Sequence, residues 1–347
     1  MSVNNKKNDT RKIQFSGNSS FTTTLPKEWV EQNNLKAGEE ITLFYNSDNE
    51  IVITPNNKII DNNKEIKINI DKDDYDTILR KIVSLYVTGY NLIKISNKLN
   101  RLTSEDRESI KKIVRNNLVG TEIINDSTEE ITIQVLLSFP ELTIKNALRR
   151  MYIIAHSMHK DAITSISKID KDAAIGVINS DNEVDRFSLY IIRLLKIAVK
   201  KPNMLTKIGL YNITDCLGFR LIVKSVERVA DHATKIAQTV LQIENKIDKE
   251  IVTKLEELSI FSLEVFEDSS KALFKEDYTT SNEIVEKAKS IEKKERNLTT
   301  LLKNKDVQEQ NNINLIIEHI RRTAEYASDI AEIILNMTAE KFLDKNN

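Results

Sequence analysis

Ser225-Val-Glu-Arg-Val-Ala-Asp-His-Ala-Thr-Lys-Ile-Ala237 decides how the rest of the chain is read. Its spacing predicts one helix on which Glu227 and Asp231 stand one turn apart on a shared face, flanked by Ala230, Ala233 and Ala237. Alanines at that spacing let a neighbouring helix come close, so the carboxylates are expected beside a packing seam. The bland reading, a solvated face with ordinary charges at i, i+4, stays open beside it. Thr323 to Glu332 repeats the device: Glu325 and Asp329 hold the same spacing among Ala324, Ala327, Ser328 and Ala331.

Working outward, the chain beyond Pro140 reads as six helices in two sets of three: 142–169, 170–200 and about 213–244, then 251–275, 277–302 and about 308–342. On the first of them Leu148, Met151, Tyr152, Ala155, Met158, Ala162 and Ile166 step by three and four. Composition agrees. A chain of 347 residues that is 40% hydrophobic and 30% charged, with only seven Gly and four Pro, favours long uninterrupted helices over a turn-rich β protein.

The N-terminal region is different. Arg11 to Phe15 and Phe21 to Leu25 predict a hairpin, Pro26 opens a short helix, and Ile41 to Tyr45 and Ile51 to Thr54 predict a second hairpin, giving the order ββαββ. A unit this small cannot bury a robust core alone, so dimerisation is a physical expectation. Seven basic residues face seven acids over residues 1–60, but Lys6, Lys7, Arg11 and Lys12 meet only Asp9, which marks the start as the place for phosphate contacts; Lys27 joins them. Gly17-Asn-Ser-Ser-Phe-Thr-Thr-Thr-Leu-Pro-Lys-Glu-Trp29, followed by Leu35 to Ile41, resembles the AbrB/MazE-type (SpoVT-AbrB) swapped-hairpin domain. That resemblance implies two chains interleaved into one DNA-binding barrel. A dimeric adaptor without DNA contact is the alternative, since the bulk charge is even.

Between these regions, Asn56 to Glu65 reads as a linker into a small α/β layer. Helices are predicted at Tyr75 to Val87 and Ser104 to Asn117, and strands at Tyr90 to Ile95, Glu122 to Asn125 and Ile131 to Leu137. It carries no Gly-rich phosphate loop and no nucleophile elbow, so a spacer or dimer-contact role is expected.

Three stretches of the helical part resemble the PhoU family: Cys216 to Ala233, Asp181-Asn-Glu-Val-Asp-Arg186 and Leu148-Arg-Arg-Met-Tyr152. Together with the N terminus they resemble archaeal phosphate-uptake regulators. The expected organisation is mainly α: residues 1–60 a swapped-hairpin barrel half, 61–140 an α/β linker, and 141–248 and 249–347 two three-helix bundles. The resemblance implies a regulator of phosphate uptake, with a multinuclear iron or zinc cluster. It also implies, as partner, the nucleotide-binding subunit of a phosphate transporter or a sensor kinase. Asp181, Asp185, Glu227 and Asp231 would hold the metal; the all-oxygen set also suits Mg or Mn. The second bundle departs from the pattern. It keeps Glu325 and Asp329, but Glu295 stands where Asp185 would match and Ile291 where Asp181 would, with Glu292 the one substitute.

Other features bound the function. Cys216, the only cysteine, excludes an intramolecular disulfide and suits a core position. The start is polar and no apolar run nears the ~20 residues that span a bilayer, so a cytoplasmic protein without membrane insertion is expected. Catalysis is not expected. A carboxylate-bridged di-metal enzyme is the alternative, and His156, His159, His232 and His319 complete none of the Glu-x-x-His pairs such enzymes use.

Overall fold

The computed structural model describes residues 9–17, 19–45, 50–55, 64–71, 73–98, 101–136, 142–302 and 305–346. Lys6 and Lys7, part of the expected basic arm, lie outside them. The chain divides into two compact units, Met1–Asn62 and Asn63–Asn347.

In the first unit β1 (Gln14–Ser16) pairs antiparallel with β2 (Ser20–Thr22), α1 (Lys27–Gln32) follows, and β3 (Ile41–Tyr45) pairs antiparallel with β4 (Ile51–Pro55). The order is the expected ββαββ. Helix α1 buries no residue, and Ile13, Phe15, Phe21, Leu43, Tyr45 and Ile51 are all more than half exposed. Phe15 and Phe21 meet only edge to face across the hairpin, with ring centres 5.2 Å apart.

The second unit opens with a four-stranded sheet of order β5-β6-β8-β7, formed by β5 (Glu65–Asn69), β6 (Leu92–Ser96), β7 (Thr121–Asp126) and β8 (Glu130–Val135). Strands β5 and β6 are parallel, and β8 runs antiparallel to both β6 and β7. Helices α2 (Tyr75–Val87) and α3 (Ser104–Asn117) supply the other half of this core, Ile78, Ile82, Ile110 and Ile113 packing with Ile93, Ile95, Ile131 and Ile133. Asp74 caps α2, and α3 begins with a capping box made by Thr103 and Asp106. Strand β5 corrects the expected linker: Glu65 is its first residue, and Ile66 and Ile68 alternate with polar neighbours as a half-buried strand requires.

Among the described residues seven α-helices follow: α4 (Ile144–Lys168), α5 (Lys171–Lys200), α6 (Asp215–Gln242), α7 (Lys249–Lys275), α8 (Tyr278–Ala288), α9 (Ile291–Thr299) and α10 (Val307–Asn346). The expected helix over 277–302 is broken: the Ser290 hydroxyl bonds the Lys287 carbonyl, a local bond that competes with helix continuation, and a new helix starts at Ile291. The two sets share one turn. Ile169 and Glu276 each end a helix in the left-handed region, and the next residue, Asp170 or Asp277, caps the following helix through its side chain at 3.0 Å.

The two sets do not bury separate cores. Residues of α4 to α10 form one continuous apolar cluster. Helix α6 packs antiparallel against α10, and a Cβ on Gly218 would lie 2.3 Å from Met337 Sδ, so a larger residue there requires the Met337 side chain to move. His159 of α4 is wholly buried where the sets meet, with its ring nitrogens 3.1 Å from Thr323 Oγ1 and 3.0 Å from Ser259 Oγ. Arg193 of α5, 2% exposed, ties the helices to the α/β layer. Its guanidinium donates to the carbonyls of Tyr86 and Tyr90 and to Asn91 Oδ1, and lies over the Tyr86 ring.

Candidate metal centre

Asp181 and Asp185 stand one turn apart on α5, and Glu227 and Asp231 one turn apart on α6, which packs beside it. The alanine seam is real: Ala230, Ala233 and Ala237 are fully buried, and the four carboxylates sit at its edge, each half-buried. Burial, reinforced by Asp181, Glu227 and Asp231, pushes the Asp185 carboxyl up to about 7. Burial and then Asp231 and Glu227 push Asp181 up to about 6, and burial and then Glu227 raise Asp231. A carboxyl raised by other carboxyls is the signature of like charges held together in a low dielectric.

The group is incompletely satisfied. Asp181 Oδ1 is buried with no hydrogen-bond partner. Glu227 is held elsewhere: Ser188 Oγ donates to its Oε2 at 2.9 Å and Lys224 Nζ to its Oε1 at 2.6 Å. Arg186 gives its Nη1 to Glu183 at 2.8 Å, and Arg228 lies over the Tyr326 ring, so neither arginine closes on the cluster. Among the described residues no three His, Cys, Asp or Glu side chains already stand around one coordination point. The donors fit a hard cation by type and by their unbalanced charge, but Asp181, Asp185 and Asp231 would have to turn toward one point to hold it, and Glu227 would have to leave Lys224 to join them.

The corresponding place in the second set is filled by arginine. Arg321 reaches Glu325 at 2.5 Å and Glu295 at 3.3 Å, and Arg322 reaches Glu325 at 3.0 Å. Glu292 is exposed and pairs with Arg296. Burial, Glu332 and Glu325 raise Asp329. Ile291, at the position matching Asp181, is buried.

Sequence reasoning missed the pairing behind the carboxylates. His232, next to Asp231, turns to the far side of α6, where its Nδ1 lies 3.0 Å from His319 Nδ1, one ring donating to the other. Burial and then His319 push His232 down to about 3. Only the register of α6 on α10 creates this pair. In the first unit Arg11 is held by Asp9 at 2.5 Å and Lys27 lies 3.6 Å from Glu31, whereas Lys12 is exposed.

Comparison with known proteins places these features. Residues 148–240, from α4 to α6, match the family described as PhoU domain. That stretch is similar to a PhoU domain. All four carboxylates lie inside it, and α7 to α10 lie beyond it. Residues 14–61 match the family described as antidote-toxin recognition MazE, bacterial antitoxin. A curated relative from Borreliella burgdorferi, a phosphate-specific transport system accessory protein PhoU homolog, is 29% identical over 140 residues. That match spans 38% of this chain and 60% of the relative. A protein of the same description from Caulobacter vibrioides is 29% identical over 102 residues, spanning 29% of this chain and 41% of its own length. The solved structure of PhoU from Pseudomonas aeruginosa superimposes with a TM-score of 0.50 at 16% identity, over 57% of this chain and 96% of that one, a likeness of fold. Among the described residues no helix is long and apolar enough to cross a membrane.

Proposed function

We propose that this chain regulates phosphate uptake in the cytoplasm, binding DNA through a dimer of its N-terminal unit and a cation and a partner protein through its PhoU region. The observation that carries the reading is the union in one chain of a PhoU-like region with a MazE-like ββαββ unit. Dimerisation is supported by the exposed Phe15, Phe21, Leu43 and Tyr45, which a second copy's strands would cover. In the PhoU region a cation, iron or zinc by resemblance and Mg or Mn by ligand type, would supply the positive charge the α5–α6 carboxylates lack, and so fasten the two helices. The partner is a transporter's nucleotide-binding subunit or a sensor kinase; the long helical faces serve association, with no catalysis.

One purification tests the parts together. Protein isolated without chelator should retain metal, sediment as a dimer or larger, and protect DNA upstream of phosphate-uptake genes. Arg11→Glu with Lys12→Glu should weaken protection, and the slope of log affinity against log salt should become shallower by about 0.9 for each phosphate no longer neutralised. Pull-downs at high and low phosphate should recover the transporter or kinase partner. A second reading, the adaptor that does not touch DNA, is favoured by the internal pairing of Arg11 with Asp9 and Lys27 with Glu31. No protection by either protein would decide for it, whereas unchanged protection by the charge-reversed protein would refute the assignment of DNA contact to Arg11 and Lys12.

A further inference from the structure

The cavity of about 800 Å³ between α3, β7 and α5 belongs to none of the functions above. Its volume falls within the range that encloses a small organic ligand and far exceeds what one inorganic anion needs. Two guanidinium groups line it. Arg115, on α3, is exposed and has no ion-pair partner among the described residues. Arg186, on α5, contacts Glu183 through Nη1 while its Nε is buried with no hydrogen-bond partner. The acids of the cavity are unequal. Asp126 is already committed to Arg107 at 2.7 Å and Lys111 at 3.0 Å, whereas Glu122 is exposed and holds no cation among the described residues. The apolar wall is made by Leu118 and by Leu136, the latter 55% exposed.

We propose that this cavity binds a 5′-phosphorylated nucleoside, with the phosphate on Arg115 and Arg186 and the base against Leu136. Planar guanidinium forks match phosphate oxygens two at a time, which a single ammonium cannot do. Glu122 accepts from the sugar hydroxyls or an exocyclic amine. The flat side of a base covers Leu136, which water now contacts. Arg186 directly follows Asp185, so an anion that draws this guanidinium into the cavity acts one residue from the carboxylate group of α5.

Calorimetry on the full chain with AMP, ADP, ATP, adenosine and inorganic phosphate tests the assignment. Saturable binding of at least one nucleotide is expected, with adenosine and inorganic phosphate each at least about tenfold weaker. Arg115→Glu should weaken the nucleotide at least about tenfold, as removing a charge-assisted hydrogen bond to phosphate does. Leu136→Glu, at a separate exposed position, should weaken it as well, with melting temperature checked for both variants. Three results would overturn the proposal: no nucleotide binding up to about 1 mM, binding indifferent to both substitutions, or inorganic phosphate bound as tightly as the nucleotides.

Discussion

Replacing Asp185 by Asn should stabilise the metal-free chain at high pH, lose that effect at low pH, and reverse it with metal bound. The native carboxyl titrates near 7 and the unfolded one near its ordinary 3.8, so the native state holds the proton more tightly. Between those values the folded chain binds more protons than the unfolded chain, and its stability therefore falls as pH rises, with the whole penalty present above about 7. A dry site would make this about 4 kcal/mol. Solvent reaches this half-buried group, so about half of that, about 2 kcal/mol, is the working figure. Asparagine cannot ionise. In chelator at high pH, Asp185→Asn should be more stable by about 2 kcal/mol, or about 4 °C in melting temperature for a unit of this size. Below about pH 3.8 the carboxyl is protonated in both states and the two proteins should melt together, while near pH 5 part of the difference remains. His159 and His232, both pushed down to about 3, lose stability as pH falls below 6.5, but they do so equally in both proteins and cancel in the difference.

With a cation the order should reverse, because the wild-type carboxylate then supplies a ligand. Saturating Mn or Zn should raise the wild-type melting temperature at pH 8 and raise that of the variant less; a tenfold loss of affinity is about 1.4 kcal/mol. Calorimetric scans at two pH values, in chelator and in metal, give all four quantities. If Asp185→Asn destabilises equally in every condition, the carboxylates do not repel one another and the cluster is an ordinary helix face. If the wild type is indifferent to every cation tried, the metal reading fails while the repulsion stands.

Glu227→Gln with Asp231→Asn should lower bound metal measured by mass spectrometry, whereas Glu325→Gln with Asp329→Asn should leave it unchanged, because Arg321 and Arg322 already occupy Glu325. Arg193→Met should cost about 3 kcal/mol in denaturant unfolding, since it strands the Tyr86 and Tyr90 carbonyls and Asn91 in a buried place. Arg193→Lys should restore little, as one ammonium cannot reach all three acceptors. Gly218→Val should cost about 2 kcal/mol by overpacking against Met337, and Met337→Ala in the same chain should recover part of it; additive losses would show that the crossing of α6 on α10 is not tight there.

Helices with regular spacing and a good cap were legible from the sequence. Tyr75 to Val87 and Ser104 to Asn117 stand where the sequence pattern put them, capped by Asp74 and Thr103. Strand β5 was not, because its partner β6 is parallel and lies beyond a whole helix, so no turn announces the pairing. The break at Ser290 was also hidden, since serine stops a helix only when its hydroxyl finds a nearby carbonyl. At the site, the two carboxylate pairs were visible as i, i+4 spacing, and so in principle were Arg321 and Arg322, four and three residues before Glu325. The His232–His319 contact joins residues of different sets through the antiparallel register of two helices, which no local pattern encodes.

That register also explains why the repeated device has two electrostatic outcomes. Both copies set Glu and Asp one turn apart beside buried alanines, and both face a neighbouring helix of their own set. In the second copy the neighbour presents Glu295 and a buried Ile291, and α10 itself supplies two guanidinium groups to Glu325, so the charge is balanced within the chain. In the first copy the neighbour presents Asp181 and Asp185, and among the described residues the one ion pair made with the group is Lys224 with Glu227. The remaining aspartates must share protons or take a cation from outside. One half of the helical region thus has Glu325 balanced by its own arginines, whereas in the other Asp181, Asp185 and Asp231 are left as carboxyls raised by burial and by one another.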